Sequence, residues 1–352
     1  MIAGSCAIVI NPKIWNADMR RGVSTLVSLA LLAPAAIGLS CTRAKKHSTL
    51  FLPDQEVIAT SDPRVALEQE LLSDVLENYA HDEPPDTQIP VLGTVSNARI
   101  GVGPGDLLAG DELARAPSRW PLVLEAPATV VSKLLRVHVS ADLTAAWVSD
   151  EVSWRVPVCG RIAVVPLRIT ALYARDGERW ANVFEHMSYG HEPVASATGL
   201  RGLTLRPAVV SRSVADAISR ALAPVLSGRQ SAALANDADA VALGPRWQDE
   251  FRSGSVGTAP IAPMPLVAED RRVGAIGRDT ATASVGYWVG TLIGETTAGK
   301  VRLRGSFVLE RRNDTWMIMQ SHISSPVDDE ELAQRIFGTA LQGLNPLRIS
   351  CQ

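Results

Sequence analysis

The sequence predicts an α+β protein in which one small unit occurs twice in tandem. An internal repeat, a helical period opening each half and alternating strands closing each half carry that expectation. The repeat comes first, because missed self-similarity misreads the whole fold. Residues Val165 to Ser188 align without a gap on Val301 to Ser324, with identities at Val165/Val301, Leu167/Leu303, Arg168/Arg304, Arg175/Arg311, Trp180/Trp316, His186/His322 and Ser188/Ser324. Upstream, Ala141 to Val152 matches Arg278 to Val289 with a shift of one residue, and Val102-Gly103-Pro104 answers Leu243-Gly244-Pro245. Three landmarks in one order read as duplication.

Taken in chain order, the first segment is a leader. Met19-Arg20-Arg21 precedes an apolar run from Val23 to Leu39 and then Ser40-Cys41, the order of an export signal. Met19 is the expected start. Ile37-Gly38-Leu39-Ser40-Cys41 resembles a bacterial lipobox, whose Cys is lipidated, although Gly38 stands where that pattern prefers Leu. Cleavage at nearby small residues and an uncleaved anchor are the alternatives, and the apolar run is short of the ~20 residues a membrane span needs. The expected organisation is leader 1–41, tether 42–62, first domain 63–191, linker 192–212, second domain 213–341 and tail 342–352. The expected location is the bacterial cell envelope, with the membrane reached through a lipid anchor on Cys41.

Each half then opens on a helix. Val65, Leu67, Leu71, Leu72, Val75 and Leu76 recur at helical spacing over residues 64–79, with Asp62 as N-cap and Pro63 at the first helical position. Val214, Ala217, Ile218, Ala221, Leu222 and Val225 form the matching stripe over 213–226. A Gly-Pro loop and a short helix follow each, then strands, and residues 330–341 read as a last helix. Val165, Leu167, Ile169, Ala171 and Tyr173 alternate with more polar residues, and Asp176-Gly177 signals a hairpin. With that pair at the tip, Tyr173 stands opposite Trp180, Ile169 opposite Phe184 and Leu167 opposite His186, all on one face; Arg168 then meets Glu185 on the other. By the same count Leu303 faces His322.

Composition excludes some partners. A net charge of −3, with no run of four Lys or Arg, leaves no basic footprint for nucleic acid. Cys6 and Cys41 fall in the leader, so Cys159 and Cys351 remain; unpaired thiols are expected for them.

The string Ala146-Trp147-Val148-Ser149, the strand Val165 to Thr170 and the ending Asp176-Gly177-x-x-Trp180-x5-His186-x-Ser188 resemble SnoaL-like domains of the nuclear transport factor 2-like superfamily. The second half ends alike, in Arg304-Gly305-Ser306 and Trp316-x5-His322-x-Ser324. The resemblance implies cone-shaped domains, each a curved antiparallel sheet wrapped around helices with a pocket between them. It also implies pairing through the sheets, hence an intrachain pseudo-dimer. It leaves the chemistry open, because this scaffold carries isomerases, cyclases, dehydratases and binding modules.

His186 and His322 are the candidate catalytic residues, expected to line the cones and to bind a ligand or move a proton; a core histidine hydrogen-bonded to a neighbour is the alternative. Trp147, Leu167, Trp180, Phe184, Tyr287, Leu303 and Trp316, with the two histidines, are the candidate pocket lining, or simply core. Arg168 and Arg304 would hold a contact between domains or form exposed ladder pairs. Glu185, His186, His191 and Glu192 hold metal-ligand atoms, but the first two point to opposite faces, so no metal is expected. Gly101 to Gly105 lacks the dinucleotide fingerprint, Ser253 to Gly257 misses the nucleophile elbow, and no cofactor is expected. Asp142 and Asp279 read as turn residues, and Asp150 and Glu151 are carboxylates on or near strands. The function expected is binding of a small apolar ligand or an envelope protein without catalysis; the alternative is an isomerase, cyclase or hydrolase using one cone and a His.

Overall fold

The computed structural model describes residues 62–81, 98–103, 107–109, 129–158, 161–190, 210–229, 231, 233–252, 264–277, 283–328 and 331–332. Two compact units divide the chain, 1–58 and 59–352, and every described residue lies in the second. The leader, lipidation site Cys41, all four cysteines, both short helices and most of 330–341 therefore lie outside the described residues.

Helix α1 spans Pro63–His81, and Asp62 caps it: its side-chain Oδ1 accepts from the Arg64 amide at 2.9 Å. Its described strands are β1 (Ala98–Ile100), β2 (Leu107–Ala109), β3 (Thr129–Ser132), β4 (Arg136–Val139), β5 (Ala145–Val158), β6 (Arg161–Asp176) and β7 (Arg179–Ser188). They form one sheet in the order β2-β1-β7-β6-β5-β3, with β4 also on β5. Helix α2 (Arg212–Leu226) follows, capped by the Ser211 hydroxyl and burying Val214, Ile218, Leu222 and Val225. Burying four such side chains stabilises its seat by roughly 1.5–3 kcal/mol each. The second sheet contains β8 (Val241–Leu243), β9 (Glu250–Arg252), β10 (Leu266–Ile276), β11 (Val285–Thr296), β12 (Gly299–Arg312) and β13 (Thr315–Ser324). Its order, β9-β8-β13-β12-β11-β10, repeats that of the first, down to the parallel pairing of the short strand on the last one.

The ladders correct the upstream part of the repeat. Val152 stands opposite Leu167, and Leu292 opposite Leu303, so Val152 corresponds to Leu292 rather than Val289. Ile100 pairs with His186 and Leu243 with His322, so the glycine answering Gly244 is Gly101, not Gly103. The paired arm beyond Leu292 and Leu303 is shorter than the arm beyond Val152 and Leu167 that it answers, by more than the one-residue shift allows.

The hairpin registers are corrected too. Both tips are two-residue loops: Gly177-Glu178 between the paired Asp176 and Arg179, and Asn313-Asp314 between Arg312 and Thr315. Gly177 sits at φ 62°, and Asn313 and Asp314 at 47° and 62°, the backbone such tight hairpin loops require. Farther along, one extra residue, Val183 in β7 and Met319 in β13, makes a bulge. Beyond it the face changes. His186 stands opposite Thr170, Phe184 opposite Leu172 and Arg168 opposite Ser188; in the second sheet His322 stands opposite Ser306.

Each sheet thus has two working sides. On one side of the first, Leu167, Ile169, Ala171 and Tyr173 pack with Leu71, Val75 and Tyr79 of α1. The other side, with Trp147, Leu172 and Phe184, joins a core continuous with the second sheet. The chain leaving β13 also returns to the first sheet, where the Val327 amide donates to the Val102 carbonyl at 2.9 Å.

Candidate functional site

The bulges carry both candidate histidines to the side where the sheets meet. His186 and His322 stack there, with ring centroids 3.8 Å apart and planes 16° from parallel. Each ring is held by hydroxyls across the contact. His186 Nδ1 meets Ser306 Oγ at 2.9 Å and Nε2 meets Ser324 Oγ at 2.7 Å. His322 Nδ1 meets Thr170 Oγ1 at 2.9 Å and Nε2 meets Ser188 Oγ at 2.8 Å. Both rings are fully buried. Burial, then Arg304 and Arg168, hold His186 well below the usual imidazole range; burial, then His186 and Arg168, do the same for His322.

The arginines flank this pair. Arg168 donates to the Gly244 carbonyl at 2.8 Å, and to those of Arg246 at 3.1 Å and Pro245 at 3.4 Å. Arg304 donates to the Gly101 carbonyl at 3.0 Å. The expected Arg168–Glu185 ladder pair is absent because the bulge sends Glu185 to the helix side, opposite Ala171. Gln320 reaches the Val148 carbonyl at 2.8 Å, and Ser284 donates to Asp142 at 2.5 Å. Asp142 also takes bonds from Ser140 and Thr144, the turn role its sequence setting implies.

The pocket candidates divide between the two sides. Trp147, Phe184 and Tyr287 lie on the sheet–sheet side with the histidines, and Phe184 meets Tyr287 at 6.1 Å between ring centroids. Trp147 meets the His138 ring at a tilt, with centroids 4.3 Å apart, and burial followed by Arg64 pushes His138 down to about 4. Leu167 and Trp180 lie on the helix side of the first sheet, Trp180 under the Arg175 guanidinium at 5.0 Å. Leu303 and Trp316 occupy the matching positions of the second: a Cβ on Gly286 would meet Ile218 of α2 and Trp316 together.

The helix sides differ most. In the first sheet Arg99 and Glu185 are neighbours in the ladder, both almost fully buried, on the side of Ala171. Asp150 stands opposite Ile169 on that side; its Oδ1 accepts from the Leu134 amide at 3.0 Å, while its buried Oδ2 meets no donor among the described residues. Burial pushes Asp150 up to about 6, against hydrogen bonds from Ser132, Leu134, Glu151 and Lys133 that pull it down. At the corresponding positions the second sheet has Ala242, Ser321 and Gly290. Trp288 and Phe307 fill its interior edge to face at 5.5 Å, where Val148 and Ala171 stand in the first. Sequence reasoning passed over Arg99, whose only signal is a charge within a three-residue apolar strand. Among the described residues no group of three His, Cys, Asp or Glu is placed to hold a metal, and His191 and Glu192 lie outside them.

Those strand orders and positions can be set against known proteins. Residues 229–328 match the SnoaL-like domain family. This SnoaL-like segment runs from the end of α2 past β13 and so contains the whole second sheet. No curated protein matches the chain. Among solved structures it is similar to the association domain of C. elegans CaMKII, at 17% identity over 36% of this chain and 97% of that one, with a TM-score of 0.27. An NTF2-like protein of unknown function from Pseudomonas putida KT2440 is 16% identical over 41% of this chain and 98% of its own, with a TM-score of 0.25.

Proposed function

We propose that the chain is an intrachain pseudo-dimer of two SnoaL-like cones, of which the first binds a small amphipathic molecule and the second serves as scaffold. One observation carries this reading. The helix side of the first sheet keeps Arg99, Glu185 and Asp150 buried, whereas Ala242, Ser321 and Gly290 replace them beside a Trp288–Phe307 filling. Buried polar groups persist only where hydrogen bonds or paired charges hold them, and a few such groups set in an apolar lining are what orients a bound molecule, so their retention in one cone and loss in the other favours a binding role there. The candidate site moves accordingly, from the histidines to Arg99, Asp150 and Glu185, with Leu167 and Trp180 as apolar wall. Asp150, raised towards neutral pH, supports the second reading, an isomerase- or hydrolase-type reaction in the same cone with a carboxyl rather than a His as acid or base. Export and anchoring through Cys41 in the bacterial envelope belong to the proposal and rest on residues 19–41.

Native mass spectrometry of the full chain, recovered from a bacterial envelope, tests the binding. The expected spectrum carries a bound species that Ala171→Phe, which copies the second sheet's filling, removes. A bare polypeptide mass, or an adduct indifferent to Ala171→Phe, overturns the assignment. Unchanged membrane fractionation of Cys41→Ser separately removes the lipid anchor.

A further inference from the structure

The two central imidazoles take no part in the proposed binding site, yet both are fully buried at the contact between the sheets. We infer that the stacked His186–His322 pair is an acid-sensitive latch, closed while both rings are uncharged, and that mild acid opens the contact between the sheets. The inference is independent of whether the first cone binds a ligand.

Hydrogen bonding alone does not choose the charge state. Each ring nitrogen faces a Ser or Thr hydroxyl, and a hydroxyl can either give or accept, so neutral and protonated rings are equally well served. Electrostatics makes the choice. A proton on either ring sets a cation 3.8 Å from the other ring, in a place sealed from water. Arg168 on β6 and Arg304 on β12 already bring positive charge to this face, and buried Arg272 on β10 adds a third next to Val289. The carboxylates on the same face are Glu151 on β5, opposite Arg168, Asp270 on β10, opposite Thr291 and so next to Arg304, and buried Glu310 on β12, which pairs with Arg312 and accepts from the Ala141 amide. All three stand against guanidinium-bearing positions rather than against the rings. Because every hydroxyl holding one ring comes from the other sheet, parting the sheets is the motion that lets water and protons in.

The sign follows from linkage. Rings held neutral when folded contribute stability above the unfolded imidazole value near 6.5, and that contribution is lost as pH falls below it. Two such rings make the opening constant rise by up to about a hundredfold per pH unit.

The test compares the full chain with its H186Q/H322Q variant, in which two neutral amides keep hydrogen-bonding capacity without titrating. His138 and Asp150 remain in both proteins, so the difference between them reads the pair alone. Denaturant titrations between pH 5 and pH 7.5, with scattering and far-ultraviolet circular dichroism, are expected to show two things in the natural sequence. Stability falls about a hundredfold per pH unit more steeply than in the variant, and the radius of gyration rises in acid while the strand signal persists. Equal slopes overturn the inference. Should the variant not fold, the imidazole nitrogen resonances of the natural chain decide. Rings that stay neutral in the compact protein at pH 5.5 support the latch; rings that protonate near 6.5 with no change in size overturn it.

Discussion

Replacing Arg168 with Met tests whether the clasp between the sheets rests on buried charge-assisted hydrogen bonds rather than on general apolar contact. The guanidinium is fully buried and donates to three consecutive carbonyls, at 2.8 Å to Gly244, 3.4 Å to Pro245 and 3.1 Å to Arg246. A bond to a charged donor is worth roughly 1.5–3 kcal/mol, and a buried carbonyl left alone costs about 1–3 kcal/mol. The three bonds share one donor group and do not add, and Met restores the packing of the aliphatic stem, so a loss of about 3–5 kcal/mol is expected. Arg168→Lys, with a point charge in place of the planar fork, should recover about half of that. Equilibrium unfolding in urea at pH 7.5 measures both, with an unchanged slope required for the comparison. A loss below about 1 kcal/mol for Met, or a Lys variant as weak as Met, would refute the reasoning.

Two further outcomes follow from the helix sides. Asp150 is held at about 6, so the stability it confers is full below the ordinary carboxylate value of 3.8 and is lost as pH rises through 6. Asp150→Asn should therefore stabilise the protein at pH 7.5 by something on the order of 3 kcal/mol and change little at pH 4; urea midpoints showing the reverse order would contradict that assignment of charge. Gly290→Ala should cost about 1–3 kcal/mol in the same assay, since its Cβ would lie 2.1 Å from the Asp270 carbonyl oxygen where β10 bulges. Full stability in that variant would mean the bulge is absent in solution.

The placement of polar groups separates the two halves more sharply than their shared hairpins suggest. Among the residues common to both, Leu167 with Leu303 and Trp180 with Trp316 lie on the helix sides, whereas Arg168 with Arg304, His186 with His322 and Ser188 with Ser324 lie at the contact between the sheets. The identity of the latter is what a reciprocal interface requires, because each side must supply to the other what it receives. Charged residues of the first sheet that the second lacks, such as Glu185 against Ser321, lie on the helix side, where nothing obliges the two interiors to agree. The repeat legible in the sequence therefore marks the interface as well as the apolar walls of the two helix sides.

The sequence by itself determined the two opening helices, the closing hairpins and their doubling. Asp62-Pro63 and the Val214–Ile218–Leu222–Val225 stripe specify the helices through capping and period, and Asp176-Gly177 specifies a tight hairpin through backbone freedom. Those signals are local, so a single chain displays them. Only the tertiary structure decided which face each hairpin residue takes. Val183 and Met319 are apolar, as strand residues are, and nothing local marks them as the extra residue in the ladder. A bulge forms where the sheet must bend to pack on its helix, and in a period-two strand one inserted residue reverses every position beyond it. That reversal moved His186 and His322 from a presumed ligand cone to the buried seam between two sheets.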